Sequence, residues 1–168
     1  MMLTDERSNS DTPPPDAHAS DMTRVDEGIF KLTLPGRWNC QVPSNLGRWT
    51  YSSDQEQLTV SRMDSAIQMD ADQQLTTLER VTEHWRRAER EMPDAPDITM
   101  TDPTFAEFAG IHVARYNGAE PASHRCFHCL LFCGPTAVTI FYYESICLSE
   151  EESELRARPI FDSIGIVG

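Results

Sequence analysis

The stretch from Asp70 to Met92 constrains the fold most. Leu75, Leu78, Val81, Trp85, Ala88 and Met92 recur at spacings of three and four, so they form one stripe of a helix. Asp70 followed three residues later by Gln73 is the pattern of a capping box, and Pro93 and Pro96 stop the helix. Glu79, Arg80, Glu83, Arg86, Arg87 and Arg90 occupy the other face, which reads as solvated, with Glu83 and Arg87 as an i,i+4 pair. A long amphipathic helix needs an apolar surface to lie on. On both sides of this one the apolar period changes from helical to two, and that alternation supplies a sheet.

Before the helix, "IFKLTLPGRW" sets Phe30, Leu32 and Leu34 against Lys31 and Thr33, a half-buried strand ended by Pro35-Gly36. "GRWTYSS" and "EQLTVSRM" read as two more strands. After it, "DITMTD", "TFAEFAG", "IHVARYNG", "SHRCFHCLLFC" and "FCGPTAVTIFYYES" read as four or five further strand segments, the last two joined at Gly134-Pro135. Ser149 and Glu152 form a second capping box, opening a last helix that Pro159 should kink or end. Leu155, Ile160, Phe161 and Ile164 would bury against the sheet. The expected fold class is α+β, one domain over residues 24–168. A twisted antiparallel sheet carries the long helix on one face, with the C-terminal helix near it.

The remaining residues, 1–23, are polar, acidic and interrupted by Pro13, Pro14 and Pro15. They cannot bury enough apolar surface to order themselves and are expected to be a disordered tail. Charge narrows the choice of partners. The formal net charge is −13, which repels phosphate backbones and anionic membrane surfaces and leaves a protein partner, basic or presenting an apolar helix, as the expectation. No apolar run approaches the length of a membrane span, and the first twenty residues lack the apolar core of a secretory signal. Five cysteines is an odd number with no disulfide pattern, so reduced thiols in a cytoplasm are the expected setting.

The order of elements resembles the PsbP-like fold and, within it, the DcrB-like family of small bacterial proteins. "GIFKLTLPGRW", "LTVSRM" and "LTTLERVTEHWRRAEREM" carry the likeness in the first half. "FAGIHVARY", "RCFHCLLFCGPTAVTIFYYES" and "IFDSIGI" carry it in the second, over about residues 25–166. The resemblance implies a sandwich and a binding role. Members of that fold include photosystem accessory proteins, a Ran-binding import factor and adaptors that chaperone type VI secretion effectors.

One stretch looks chemical. "SHRCFHCLLFC", Ser123 to Cys133, holds two of the five histidines and three of the five cysteines. On a strand its side chains alternate, so Cys126 and Cys129 point to opposite sides and cannot form a zinc knuckle. Folding the hairpin at Gly134-Pro135 with Cys133 opposite Thr136 matches Arg125 with Glu144, Phe127 with Tyr142, Cys129 with Ile140 and Leu131 with Val138. The second face matches Cys126 with Tyr143 and His128 with Phe141. Two uses of that face follow. Cys126, His128, Phe141 and Tyr143 would make a mixed aromatic patch for a partner's apolar helix or loop. Alternatively His124, Cys126 and His128, with His112 on a nearby strand, would make a metal- or thiol-dependent site, given ligands converging at about 2.0–2.3 Å. Asp64, Asp70 and Asp72 lack calcium-loop spacing and read as caps. The sequence has no GxSxG, HExxH, P-loop or GxGxxG. The expectation is therefore a non-catalytic protein-binding module without cofactor, such as a type VI effector adaptor or a toxin-immunity protein.

Overall fold

The computed structural model describes residues 21–44, 47–94 and 97–167. Residues 1–20, where most of the disordered tail is expected, lie outside the described residues. Its last residues do not fit that reading, because the first strand begins at Met22.

The strands before the long helix are β1 (Met22–Asp26), β2 (Phe30–Pro35), β3 (Asn39–Ser44), β4 (Arg48–Ser52) and β5 (Glu56–Asp64). Helix α1 spans Ala71–Arg90. Then come β6 (Thr99–Met100), β7 (Thr104–Phe108), β8 (Ile111–Glu120), β9 (Arg125–Cys133) and β10 (Ala137–Ile146). Helix α2 (Glu150–Asp162) and β11 (Gly165–Ile166) close the chain. One eight-stranded sheet has the order β3-β4-β5-β10-β9-β8-β6, with β7 also on β8. A small sheet has the order β1-β2-β11. All pairings between these strands are antiparallel.

The α+β class holds, but the two helices take opposite faces of the large sheet. Odd-numbered residues of β9 (Phe127, Cys129, Leu131, Cys133) pack with Leu78, Tyr116, Ile140 and Tyr142 beneath α1. On the other face, Phe141 and Tyr143 pack with Leu58 and Val60 and meet Ala157, Ile160 and Phe161 of α2 and Phe30, Leu32 and Leu34 of β2. Ser163 ties α2 to β2, accepting from the Thr33 N–H at 2.8 Å while its own hydroxyl donates to the Ile160 carbonyl at 2.7 Å.

Both capping boxes form, Asp70 with Gln73 and Ser149 with Glu152. Pro159 does not end α2. The helix runs on through it to Asp162, at the cost of one intrahelical hydrogen bond. Leu155, expected to bury, is exposed. The stripe on α1 is also rotated from the expected one. Gln74, Leu78, Thr82, Arg86 and Glu89 are buried, whereas Ala88 and Met92 are exposed. Glu83 pairs with Arg86 at 3.4 Å and Arg90 at 3.3 Å rather than with Arg87.

In the central hairpin, Cys133 faces Val138 rather than Thr136, a slip of two residues. Proline cannot take the positive φ of a two-residue turn, so the loop lengthens. An even slip preserves the faces. Arg125 therefore still reaches Glu144 at 3.5 Å, although its Cα partner is Ile146.

Gly118 on β8 lies opposite Phe127 on β9, and the aromatic ring occupies the space its side chain would fill. Gly118→Ala should therefore overpack the core by about 1–3 kcal/mol. Thermal unfolding should fall by roughly 5 °C. Gly134→Ala, with nothing near the added methyl, should leave the midpoint unchanged.

Candidate functional site

The row expected to carry function is not a surface. Cys126, His128, Phe141 and Tyr143 are all buried, at 5%, 4%, 0% and 0% exposure. The partner patch proposed for them is a core layer covered by α2 and the small sheet. Phe141 stacks edge-on against Phe30 and Phe132 at 5.5 and 5.7 Å. The Tyr143 hydroxyl donates to Glu56 at 2.7 Å, and Arg156 of α2 holds that same carboxylate at 3.3 Å.

The metal reading fails for a different reason. His124 is not on the strand: it is exposed, has φ 52°, and follows a short 3-10 turn at Pro121–Ser123. His112 faces Cys133, on the opposite side of the sheet from His128 and toward the far end of β9. Burial, with Glu150 nearby, raises the Cys126 thiol above its ordinary range, so it is a poor nucleophile or ligand. Among the described residues no three metal-ligating side chains converge.

His128 instead joins a closed polar chain. Its Nδ1 lies 3.0 Å from the Asn117 side-chain oxygen and 3.2 Å from Glu154, both acceptors, so it carries the proton. Its Nε2 then accepts from the Ser153 hydroxyl at 3.0 Å, and Ser145 lies 2.8 Å from Ser153. Serine, histidine and carboxylate thus follow in hydrolase order, but Ser153 is fully buried and no substrate can reach it. The chain clamps α2 to β8 and β9. Burial would raise the Glu154 carboxyl; Arg115 at 2.8 Å outweighs it and holds the group below its usual range. Burial also pushes the His128 pKa down to about 4, against the pull of Glu154.

A second buried network lies on the α1 face. Arg125 meets Glu89 at 2.9 Å, Glu120 at 3.2 Å and the Tyr142 hydroxyl at 3.0 Å, and Tyr142 donates to Glu89 at 2.6 Å. Arg86, expected on the solvated face, is buried instead, and so is Glu89. Their sequence signal is angular position: at about 100° per residue, Glu89 lies about 20° from Leu78 around the helix axis and Arg86 about 80°.

The open surface lies beside α1. Two adjoining cavities, of about 500 and 370 Å³, share Met63, Thr77, Arg80 and Val81 and form one groove between α1 and the end of β5. Ile67, Met69 and Val138 deepen one end and Trp85 closes the other. Met63 and Ile67 are 44% and 62% exposed, a density of apolar side chains unusual for solvent. A more polar cleft of about 440 Å³ lies by the start of α2, lined by Asn117, Glu150 and Glu154 among others. Cys126 and His128 contribute only their edges to it.

No protein-family model matches this chain, and no curated protein does. Solved structures match its fold. Cyanobacterial PsbP (CyanoP) from Synechocystis sp. PCC 6803 aligns with a TM-score of 0.62 and 13% identity, over 93% of this chain and 98% of that one. LpqN, involved in cell envelope biogenesis of Mycobacterium tuberculosis, aligns at 0.52 and 12% over 89% and 92%. A protein from Bacteroides thetaiotaomicron VPI-5482 aligns at 0.53 and 9% over 89% of this chain, which spans 49% of that protein's length. The chain therefore has a PsbP-like fold, the class its element order resembles.

The two networks make separate predictions. Because the folded state resists protonating His128 until about pH 4, while an unfolded histidine titrates near pH 6.5, the unfolded chain binds more protons between those values. Stability from this group is full above pH 6.5 and lost as pH falls toward 4. Between pH 7 and pH 5 the loss should be about 2 kcal/mol. Urea midpoints at the two pH values should show it in the wild type, and a His128→Gln variant should lack that part of the slope. Arg125→Met leaves Glu89 and Glu120 buried without their cation. It should cost about 3–5 kcal/mol in the same assay.

Proposed function

We propose that this protein is a non-catalytic binding module whose docking surface is the groove between α1 and β5. The observation that carries this reading is the run of exposed Met63 and Ile67 with half-buried Val81 and Trp85 along an open channel, in a fold whose buried histidine and thiols are already engaged. Methionine suits such a surface, since its unbranched side chain adapts to whatever packs on it. β5 is paired by β10 along its whole length and by β4 over Gln57–Ser61, so the groove wall is built mainly of side chains rather than open backbone. An occupant must therefore satisfy its own backbone, which favours a helix lying along α1. A helix of about 13 residues, roughly 20 Å, would match the length of α1 from Asp72 to Trp85.

A type VI effector adaptor and a toxin-immunity protein both fit a small module that grips one apolar helix. The DcrB-like resemblance favours the adaptor. A cytoplasmic setting is supported by free thiols at Cys40, Cys126, Cys129, Cys133 and Cys147. None of the helices among the described residues is long and apolar enough to cross a membrane.

The test is capture from the native organism by the tagged full chain, compared with a Met63→Ser/Ile67→Ser variant. A stoichiometric protein retained by the wild type should be depleted at least about tenfold by the variant. The variant's unfolding midpoint should stay within about 0.5 kcal/mol of the parent, both positions being exposed. Equal capture by the two proteins would remove the groove as the docking surface.

A further inference from the structure

Resting on that reading, we propose that the groove takes a helix whose apolar stripe is flanked by carboxylates, so that the partner segment is acidic although this chain has a net charge of −13. The groove has a charge of its own. Arg80 and His84 line it, and Arg87 continues the same side of α1 one turn further on. Among the described residues neither Arg80 nor Arg87 has a carboxylate within 4 Å, whereas Arg86 and Arg90 are paired to Glu83.

Of the carboxylates near the groove, Glu83 and Asp64 are paired to arginines, Asp72 lies at one end, and Glu91, the C-cap of α1, lies one turn beyond Arg87 at the other. Glu83 reaches Arg86 and Arg90 on the opposite flank of the helix. Asp64, beside Met63, is held by Arg62 at 2.8 Å. Asp72 is the one carboxylate in the lining of either cavity, and it sits in the first turn of α1, where the helix dipole favours a negative charge. A docked helix thus meets one guanidinium, Arg80, along its middle and a second, Arg87, at its end. Arg80 and Arg87 are two turns apart, about 10 Å, which matches carboxylates at i and i+7 of a helix laid alongside.

The net negative charge does not overrule this local match. At physiological ionic strength the screening length is about 8 Å, so carboxylates elsewhere on the surface act weakly at the groove. They slow encounter, while contact pairs set how long the complex lasts.

The experiment uses the intact protein and two synthetic labelled peptides of about 14 residues with the same Leu/Met stripe. One is flanked by Glu and the other by Lys. Binding is read by fluorescence anisotropy at about 0.15 M salt. The Glu-flanked peptide should bind at least about tenfold more tightly, and an Arg80→Glu/Arg87→Glu variant should reverse the order. Circular dichroism and the unfolding midpoint confirm that the variant is folded, both side chains being exposed. Equal binding of the two peptides, or tighter binding of the Lys-flanked one, overturns the acidic assignment. If binding of either peptide is also weakened by Met63→Ser/Ile67→Ser, the groove itself still stands. Binding of neither peptide below about 1 mM overturns both readings.

Discussion

The mostly buried guanidinium of Arg125 holds the α1 side of the molecule in register. It stands at the start of β9 and is shared by Glu89 of α1, Glu120 at the end of β8, and Glu144 and Tyr142 of β10. A charge this deep is tolerable only because each carboxylate and the phenol answer it directly. The same geometry places the helix. Glu89 lies near the C-terminus of α1, so Arg125 fixes that end over the start of β9. The N-terminal end is fixed separately, by the Met69 N–H donating to the Pro135 carbonyl and the Ser65 N–H to the Thr136 carbonyl, both in the β9–β10 loop. A helix of 20 residues and a strand of nine each run about 30 Å, so both anchors are met at once.

Alternation made much of this legible. The assignment of Phe127, Cys129, Leu131 and Cys133 to one face and of Cys126 and His128 to the other follows from strand geometry alone. It survives a register error because that error is even. The helix caps were legible for a similar reason, since Asp70–Gln73 and Ser149–Glu152 are short-range hydrogen-bond patterns that need no tertiary context. What covers a face is a long-range fact. Cys126, His128, Phe141 and Tyr143 read as an open patch because α2 is expected near α1 rather than on the opposite face, β1 has a single buried residue, Val25, and β11 is only two residues long. Ile160 and Phe161 mark α2 as a helix that buries against the sheet, but its periodicity does not say which face of the sheet it takes.

Polar residues on the underside of α1 escaped for the converse reason. Gln74, Thr82, Arg86 and Glu89 are buried, yet each is a residue type found mostly in solvent. Arg86 reaches the Thr101 carbonyl at 3.2 Å and lies over the Tyr116 ring, while Glu89 is held by Arg125. The match is incomplete. Gln74 Oε1, Thr82 Oγ1, Arg86 Nε and the Tyr116 hydroxyl have no hydrogen-bond partner among the described residues, and all belong to α1 or the strand beneath it. The helix is held by its two ends and by Leu78 more than by a continuous apolar seam.

That manner of attachment explains why a groove exists where it does. α1 lies along β8 and β9 because its ends are pinned there, and it therefore does not cover the flank of the sheet at β5. On that flank Met63 and Val138 face outward from the sheet toward Val81 and Trp85, with neither wall close enough to fill the gap. A helix with a broader apolar stripe would have rolled over them and closed the core. This one cannot roll, because doing so would pull Glu89 from Arg125 and Tyr142 and strand a buried charge at a cost of several kcal/mol. The ion pair that orders the core thus also leaves an apolar channel open, and the side of α1 left facing it carries Arg80, His84 and Arg87.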